Sequence, residues 1–309
     1  VDAWSSLNGF TSGSGVTVAV LDTGIDLSHP DLSGQIAGGT CFTGENITGQ
    51  DNNGHGTMVA GIIAAKANNS IGVSGVAPGA KLLAVKVMTS AGTGSSANII
   101  KGINYAVSKG ADVINMSLAS AYYDSLMNTA ISNAANAGVV VVCAAGNSSS
   151  SAGSWPSDCE DAISVTSTGS DGTFSSFSNY GEAKDIAAPG ENMTSTAYSK
   201  TYKSGNGTSF AAPVVAGVAA LLLDADSTLS VSEVKDILYT SADDLGASGK
   251  DIYYGYGQVN AEKAVMLALD IGEQDSAYTV TNEKEVQSVI DFDGDSDWFT
   301  YTAAGDADI

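Results

Sequence analysis

VTVAVLDTG, Val16 to Gly24, is a run of strand-forming residues apolar on both faces, ended by a carboxylate and a glycine. A strand with no face for water belongs inside a parallel sheet that is covered on both sides. Four further runs share this texture: KLLAVKVM (81–88), ADVINMSL (111–118), GVVVVCAAGN (138–147) and AISVTS (162–167). Between them lie HGTMVAGIIAA, SSANIIKGINYAVSK and DSLMNTAISNAANAG, with apolar residues at spacings of three and four, the period of a packed helix. The alternation predicts an α/β fold: a doubly wound, mostly parallel sheet with helices on both faces. Ligand sites in such sheets lie beyond the carboxyl ends of the strands, which is where Asp22 falls.

VSEVKDILYTSA and NAEKAVMLALD add two surface helices. After about Ile271 the chain becomes acidic and alternates apolar with polar residues, as in VQSVIDFDGDSDWFTYTAAGDADI. The expected division is a main domain over 1–271, then an acidic linker and a partial β-rich extension over 272–309, too short for a core of its own.

Composition narrows the function. Twelve Lys and Arg against 34 Asp and Glu give a net charge of −22, which repels nucleic acid and anionic membranes. It suits a secreted protein and leaves carboxylates for calcium. The longest apolar run, Phe210 to Leu223, falls short of a membrane span and contains Pro213. No signal-peptide pattern opens the chain. Three cysteines allow at most one internal disulfide, Cys143 reads as a buried small hydrophobe, and the absence of a Cys/His cluster argues against zinc.

The chain has two histidines, His29 and His55, both ahead of Ser209 in NGTSFAAPVVAG. A serine hydrolase built on Ser209 must therefore run His before Ser, which excludes the Ser–Asp–His order, and GTSFA is not a G-x-S-x-G elbow. His55 stands between two glycines at a helix mouth, in NNGHGTMVAG, where close backbone approach is possible. His29, before Pro30, reads as a structural turn residue. Asp22 and Asn147 end strands; the first can form its own turn or be a carboxylate placed where a site belongs, the second can cap its own turn or donate to an oxyanion. Ser209 begins a helix whose positive end faces the same region, with Pro213 expected in the early turn.

Taken in order, LDTGIDLSHPDL, NGHGTMVAG, NNSIGVSGVAPGAKLLAVKV, INMSL, AAGN and NGTSFAAPVVAG resemble the subtilisin-like serine proteases over roughly residues 1–270. The resemblance implies a serine endopeptidase acting on proteins or peptides through Ser209, His55 and Asp22, with Asn147 in the oxyanion hole. It implies that substrate pairs with Gly92-Thr93-Gly94 and Ser117-Leu118-Ala119. The primary pocket would be walled by Ala144-Ala145-Gly146, with Ser154 near its floor, and would favour apolar side chains. Ala119 replaces a customary glycine and narrows the pocket, while Asp158 and Glu160 are the carboxylates able to approach it. A structural calcium ion is implied at Asp31, Ala67, Asn69, Ile71 and Val73, all hard oxygen donors, with Asp185 in a second, weaker site. Against the family pattern the chain starts about ten residues late, so the N-terminal calcium ligand and the maturation propeptide are expected to be missing from it. A secreted monomer is expected. The rival readings are a catalytically inactive subtilase fold used for binding, opposed by the complete residue set, and a dinucleotide binder, opposed by the lack of G-x-G-x-x-G after the first strand.

Overall fold

The computed structural model describes residues 11–45, 48–274, 278–280 and 299–301; the expectations for residues 1–10 and for most of the tail lie outside the described residues. Seven strands form the central sheet: β1 (Thr17–Asp22), β2 (Ile36–Cys41), β3 (Lys81–Lys86), β4 (Val113–Met116), β5 (Val140–Ala144), β6 (Ala162–Thr168) and β7 (Ile186–Pro189). Their order is β2-β3-β1-β4-β5-β6-β7, and every neighbouring pair is parallel. The order turns at β1, which pairs with β3 on one side and β4 on the other. This is the switch point at which a crevice opens beyond the strand ends.

Alternate residues of each strand enter two separate cores. Val18, Val20, Leu82, Ala84, Val140 and Val142 pack with α1 (His55–Ala64) and with α4 (Thr208–Ala225), α5 (Val231–Thr240) and α6 (Ala261–Gln274). Ala19, Leu21, Leu83, Val85, Val141 and Cys143 face α2 (Ser96–Ser108) and α3 (Ser125–Asn136) on the opposite side. The period-two alternation of two apolar sets explains why these strands read as continuous apolar runs.

Helix starts follow their caps. Ser95 accepts from Asn98 N–H before α2, Asp124 from Leu126 and Met127 N–H before α3, and Ser230 with Glu233 closes a capping box before α5. Helix α4 begins at Thr208 after Gly207, so Ser209 is its second residue and Pro213 its sixth. Pro213 thus lies past the first turn, deeper than the sequence suggested. Its missing N–H leaves the Ser209 carbonyl without an i+4 donor, and the Ser117 hydroxyl donates to that carbonyl instead at 2.7 Å. The helix is also longer than the apolar run anticipated: its 18 residues meet the length and hydropathy of a membrane span, yet 78% of the segment is buried inside the domain.

Strands β2 and β7 and the antiparallel hairpin β8 (Met193–Ala197)–β9 (Thr201–Gly205) were not anticipated. In the tail, β10 (Tyr278–Val280) pairs in parallel with β11 (Phe299–Tyr301).

Candidate active site

The carboxyl ends of β1, β4 and β5 and the amino ends of α1 and α4 meet at one cleft of about 410 Å³. His55, Asn147 and Ser209 line it, with Thr23, Asn53, Ser117, Leu118, Ala119, Ala144, Gly146 and Thr208. Asp22 lies behind His55, fully buried, and its Oδ1 and Oδ2 are 2.8 and 2.9 Å from His55 Nδ1. Nδ1–H therefore donates to the carboxylate, and Nε2 is the nitrogen left without a proton. The carboxylate is itself fixed by the Thr23 N–H, 2.6 Å from Oδ1. Burial acts to lower the His55 pKa, but the charge and hydrogen bond of Asp22, helped by Asp51, outweigh it and the pKa is raised above 6.5.

Close approach of α1 to β1 depends on Gly56. A side-chain carbon there would stand 2.1 Å from the Gly24 carbonyl oxygen and 3.1 Å from Asp22 Oδ1. His29 takes no part: it is buried, its Nε2–H donates to the Thr201 carbonyl at 3.0 Å, and its Nδ1 accepts from Asp31 N–H.

Asn147 is oriented from behind. Its Oδ1 accepts from Thr208 N–H at 2.8 Å and from Thr208 Oγ1 at 2.9 Å, so its Nδ2 is the end left for a ligand. The Ser209 N–H, in the first turn of α4, has no acceptor within the helix. The Ser209 hydroxyl donates to the Ser117 carbonyl at 3.3 Å, so residues 117 and 209 exchange two hydrogen bonds.

Of the expected substrate contacts, Gly92, Ser117, Leu118, Ala119, Ala144 and Gly146 border the cleft. Thr93 and Gly94 line an adjoining cavity of about 330 Å³, with Tyr122, Met127 and Trp155. Ala145 and Ser154 stand behind the wall: Ala145 is fully buried, and Ser154 Oγ packs against the Gly146 position. Asp158 does not address the cleft as a free charge, because buried Lys184 pairs with it and it accepts from Ser154 N–H at 2.8 Å.

The proposed cation residues divide. Asp31, buried, has Asn69 Nδ2 2.6 Å from Oδ1 and Val73 N–H 2.9 Å from Oδ2. Left-handed residues alternate in the facing loop, at Asn68, Ser70 and Gly72. The carbonyls of Ala67, Ile71 and Val73 receive no hydrogen bond among the described residues. One carboxylate, one carboxamide and three carbonyls are the hard donors calcium takes, although here Asn69 turns its Nδ2 to Asp31 and its Oδ1 accepts the Ile71 N–H at 3.2 Å. Asp185 does not fit: Lys250 pairs with its Oδ1 at 3.2 Å, and Ser164 N–H donates to Oδ2. Among the described residues no group of three or more His, Cys, Asp and Glu is placed to hold a metal.

The sequence profile of the subtilase family, Peptidase_S8, matches residues 13–257, most of the chain. The chain belongs to the subtilase family. It is a serine endopeptidase by the same finding and by its relatives. This subtilase is 45% identical to thermitase of Thermoactinomyces vulgaris over 253 residues, 82% of this chain and 89% of thermitase. It is 46% identical to subtilisin Savinase of Lederbergia lenta over 264 residues, 85% of this chain and 96% of that protein.

Proposed function

We propose that this subtilase cleaves peptide bonds through an acyl-enzyme on Ser209, with His55 as general base, Asp22 as its orienting carboxylate and Asn147 as oxyanion donor. The Asp22–His55 hydrogen bond supports the reading most directly, because it leaves Nε2 as the basic nitrogen facing the cleft that holds Ser209. The Ser209 hydroxyl turns from the Ser117 carbonyl to Nε2, gives up its proton there, and its oxygen adds to the substrate carbonyl carbon. The Asn147 amide and the Ser209 N–H receive the oxyanion, aided by the positive end of α4. His55 passes the proton to the amine as the C–N bond breaks, then activates water to split the ester by the same route.

Backbone pairing with residues 92–94 and 117–119 suits extended substrates. The small walls at Ala144 and Gly146, and the neutralisation of Asp158 by Lys184, support a preference for apolar side chains before the scissile bond. The family and the charge of −22 support a secreted monomer matured from a propeptide form. Asp31 and Asn69 with the carbonyls of Ala67, Ile71 and Val73 would hold calcium, which pins the loop and lends it stability.

Ser209→Ala should abolish cleavage of a denatured protein while retaining the fold; full cleavage by that variant refutes the mechanism. A peptide library should give mainly apolar residues before the cut, and a basic preference refutes the pocket assignment. Chelation should lower the melting temperature of the wild type but not of Asp31→Asn.

A further inference from the structure

Asp51 is a second fully buried carboxylate beside His55, and the mechanism above leaves it unused. It accepts five hydrogen bonds. Oδ1 takes Thr23 Oγ1 at 2.9 Å, Asn53 N–H at 2.9 Å and Gly54 N–H at 3.0 Å. Oδ2 takes Thr57 N–H at 3.1 Å and Thr57 Oγ1 at 2.6 Å. Thr23 Oγ1 in turn accepts Gly56 N–H at 2.9 Å, and Asn53 Oδ1 accepts His55 N–H at 3.1 Å. The residue after Asp22 and the residues on both sides of His55 are therefore hung on one carboxylate.

We propose that Asp51 is the positioning residue for the His55 base: it clamps the carboxyl end of β1 to the amino end of α1 and so fixes the Asp22–His55 geometry. All five partners are donors. An ionised carboxylate satisfies them, whereas a carboxamide would turn its NH₂ on Thr57 or on the 53–54 amides. Asp51 also places a negative charge near the imidazole, adding to Asp22 in favouring the protonated ring. The other groups around His55 do not supply that charge. Lys86 of β3 donates to the Thr23 carbonyl at 2.8 Å and pairs with Glu45 at 3.1 Å. His29 is turned to Thr201, and α4 presents the uncharged Phe210 ring, 5.7 Å from the imidazole.

The proposal rests on His55 being the base, so the experiment includes His55→Ala. Asp51→Asn, Thr23→Val and His55→Ala are made in the full chain, checked for fold by circular dichroism, and assayed on a chromogenic peptide from pH 5 to 10. Asp51→Asn should lose about 10- to 100-fold in kcat. The acid limb of its kcat/KM profile should move down by roughly half a unit, less than the 1–3 units of a charge in direct contact. Thr23→Val, which breaks the bridge and keeps the charge, should lose kcat with the acid limb unmoved. A folded Asp51→Asn with wild-type kcat and acid limb overturns the proposal while leaving His55 as base. Activity in His55→Ala overturns the reading beneath it. Should Asp51→Asn not accumulate as folded protein, Thr23→Val decides, and wild-type kcat in that variant overturns the clamp.

Discussion

Replacing Gly56 by alanine should damage catalysis far more than a methyl group at a helix start ordinarily does. Elsewhere in a helix the change would stabilise by up to about 1 kcal/mol. Here the new carbon would lie 2.1 Å from the Gly24 carbonyl oxygen, against a floor of 3.0 Å for such contacts. Helix α1 and the 22–24 turn must separate by about 0.9 Å or more to relieve that overlap. Neither side is a flexible side-chain end, so the shift falls on the 2.8 Å bond between His55 and Asp22. A displacement near 1 Å costs about 100-fold in rate, and that is the loss expected in kcat. KM should change little, because residues 92–94 and 117–119 are untouched. Overpacking of about 1–3 kcal/mol, less the helical gain of up to about 1 kcal/mol, leaves a net cost of about 0–2 kcal/mol. That should lower the melting temperature by no more than about 8 °C in a domain of this size. Kinetics on a chromogenic peptide give the first quantity; melting of the variant in a Ser209→Ala background, free of self-digestion, gives the second. Wild-type kcat in Gly56→Ala would refute the close-approach argument.

The raised His55 pKa predicts that kcat/KM falls as pH drops through a value above 6.5, since only the neutral ring accepts the Ser209 proton. Stability runs the other way: the Asp22–His55 contribution is full below about 6.5 and fades as pH rises through the folded value, which melts of Ser209→Ala across pH 5 to 9 should record. Asp22→Asn should move the acid limb down and cut kcat by about 10⁴, a magnitude carried over from the corresponding change in another serine protease; a loss under tenfold contradicts the assigned role. Lys184→Met strands Asp158 and should cost about 3–5 kcal/mol in denaturant unfolding, with most of it recovered in Asp158→Leu/Lys184→Met; an equally unstable double variant contradicts the pairing.

Sequence was informative wherever a signal is local. The five strands with two apolar faces and the helices between them are marked residue by residue, and β1 and α4 start and end within one or two residues of the expected points. The candidate site left local marks of the same kind. Asp22 ends β1 two residues before Gly24, His55 stands between Gly54 and Gly56 at the start of α1, Asn147 follows Gly146 shortly after β5, and the two-histidine count constrained the order.

What was missed has no local mark. β2 is IAGGTC, glycine-rich and only partly buried at the sheet edge, so it lacks an apolar run. The hairpin at 193–205 is polar and exposed on one face, and its strands are defined by their partner. Asp51 reads as one acid in a polar loop; only the fold brings Thr23, from 28 residues away, to its Oδ1. Lys184 and Asp158 are 26 residues apart, and nothing in either segment announces that they share a buried bond. Long-range polar contacts of this kind follow from packing and leave no periodicity behind.

The central claim is that Ser209, activated by His55, is the nucleophile. Treating the folded protein with a serine-directed phosphonylating reagent and mapping the adduct by peptide mass spectrometry tests it most directly. One adduct at Ser209 is predicted, lost in Ser209→Ala and slowed at least a hundredfold in His55→Ala. An adduct on another serine, or labelling of Ser209 at the wild-type rate without His55, contradicts the account.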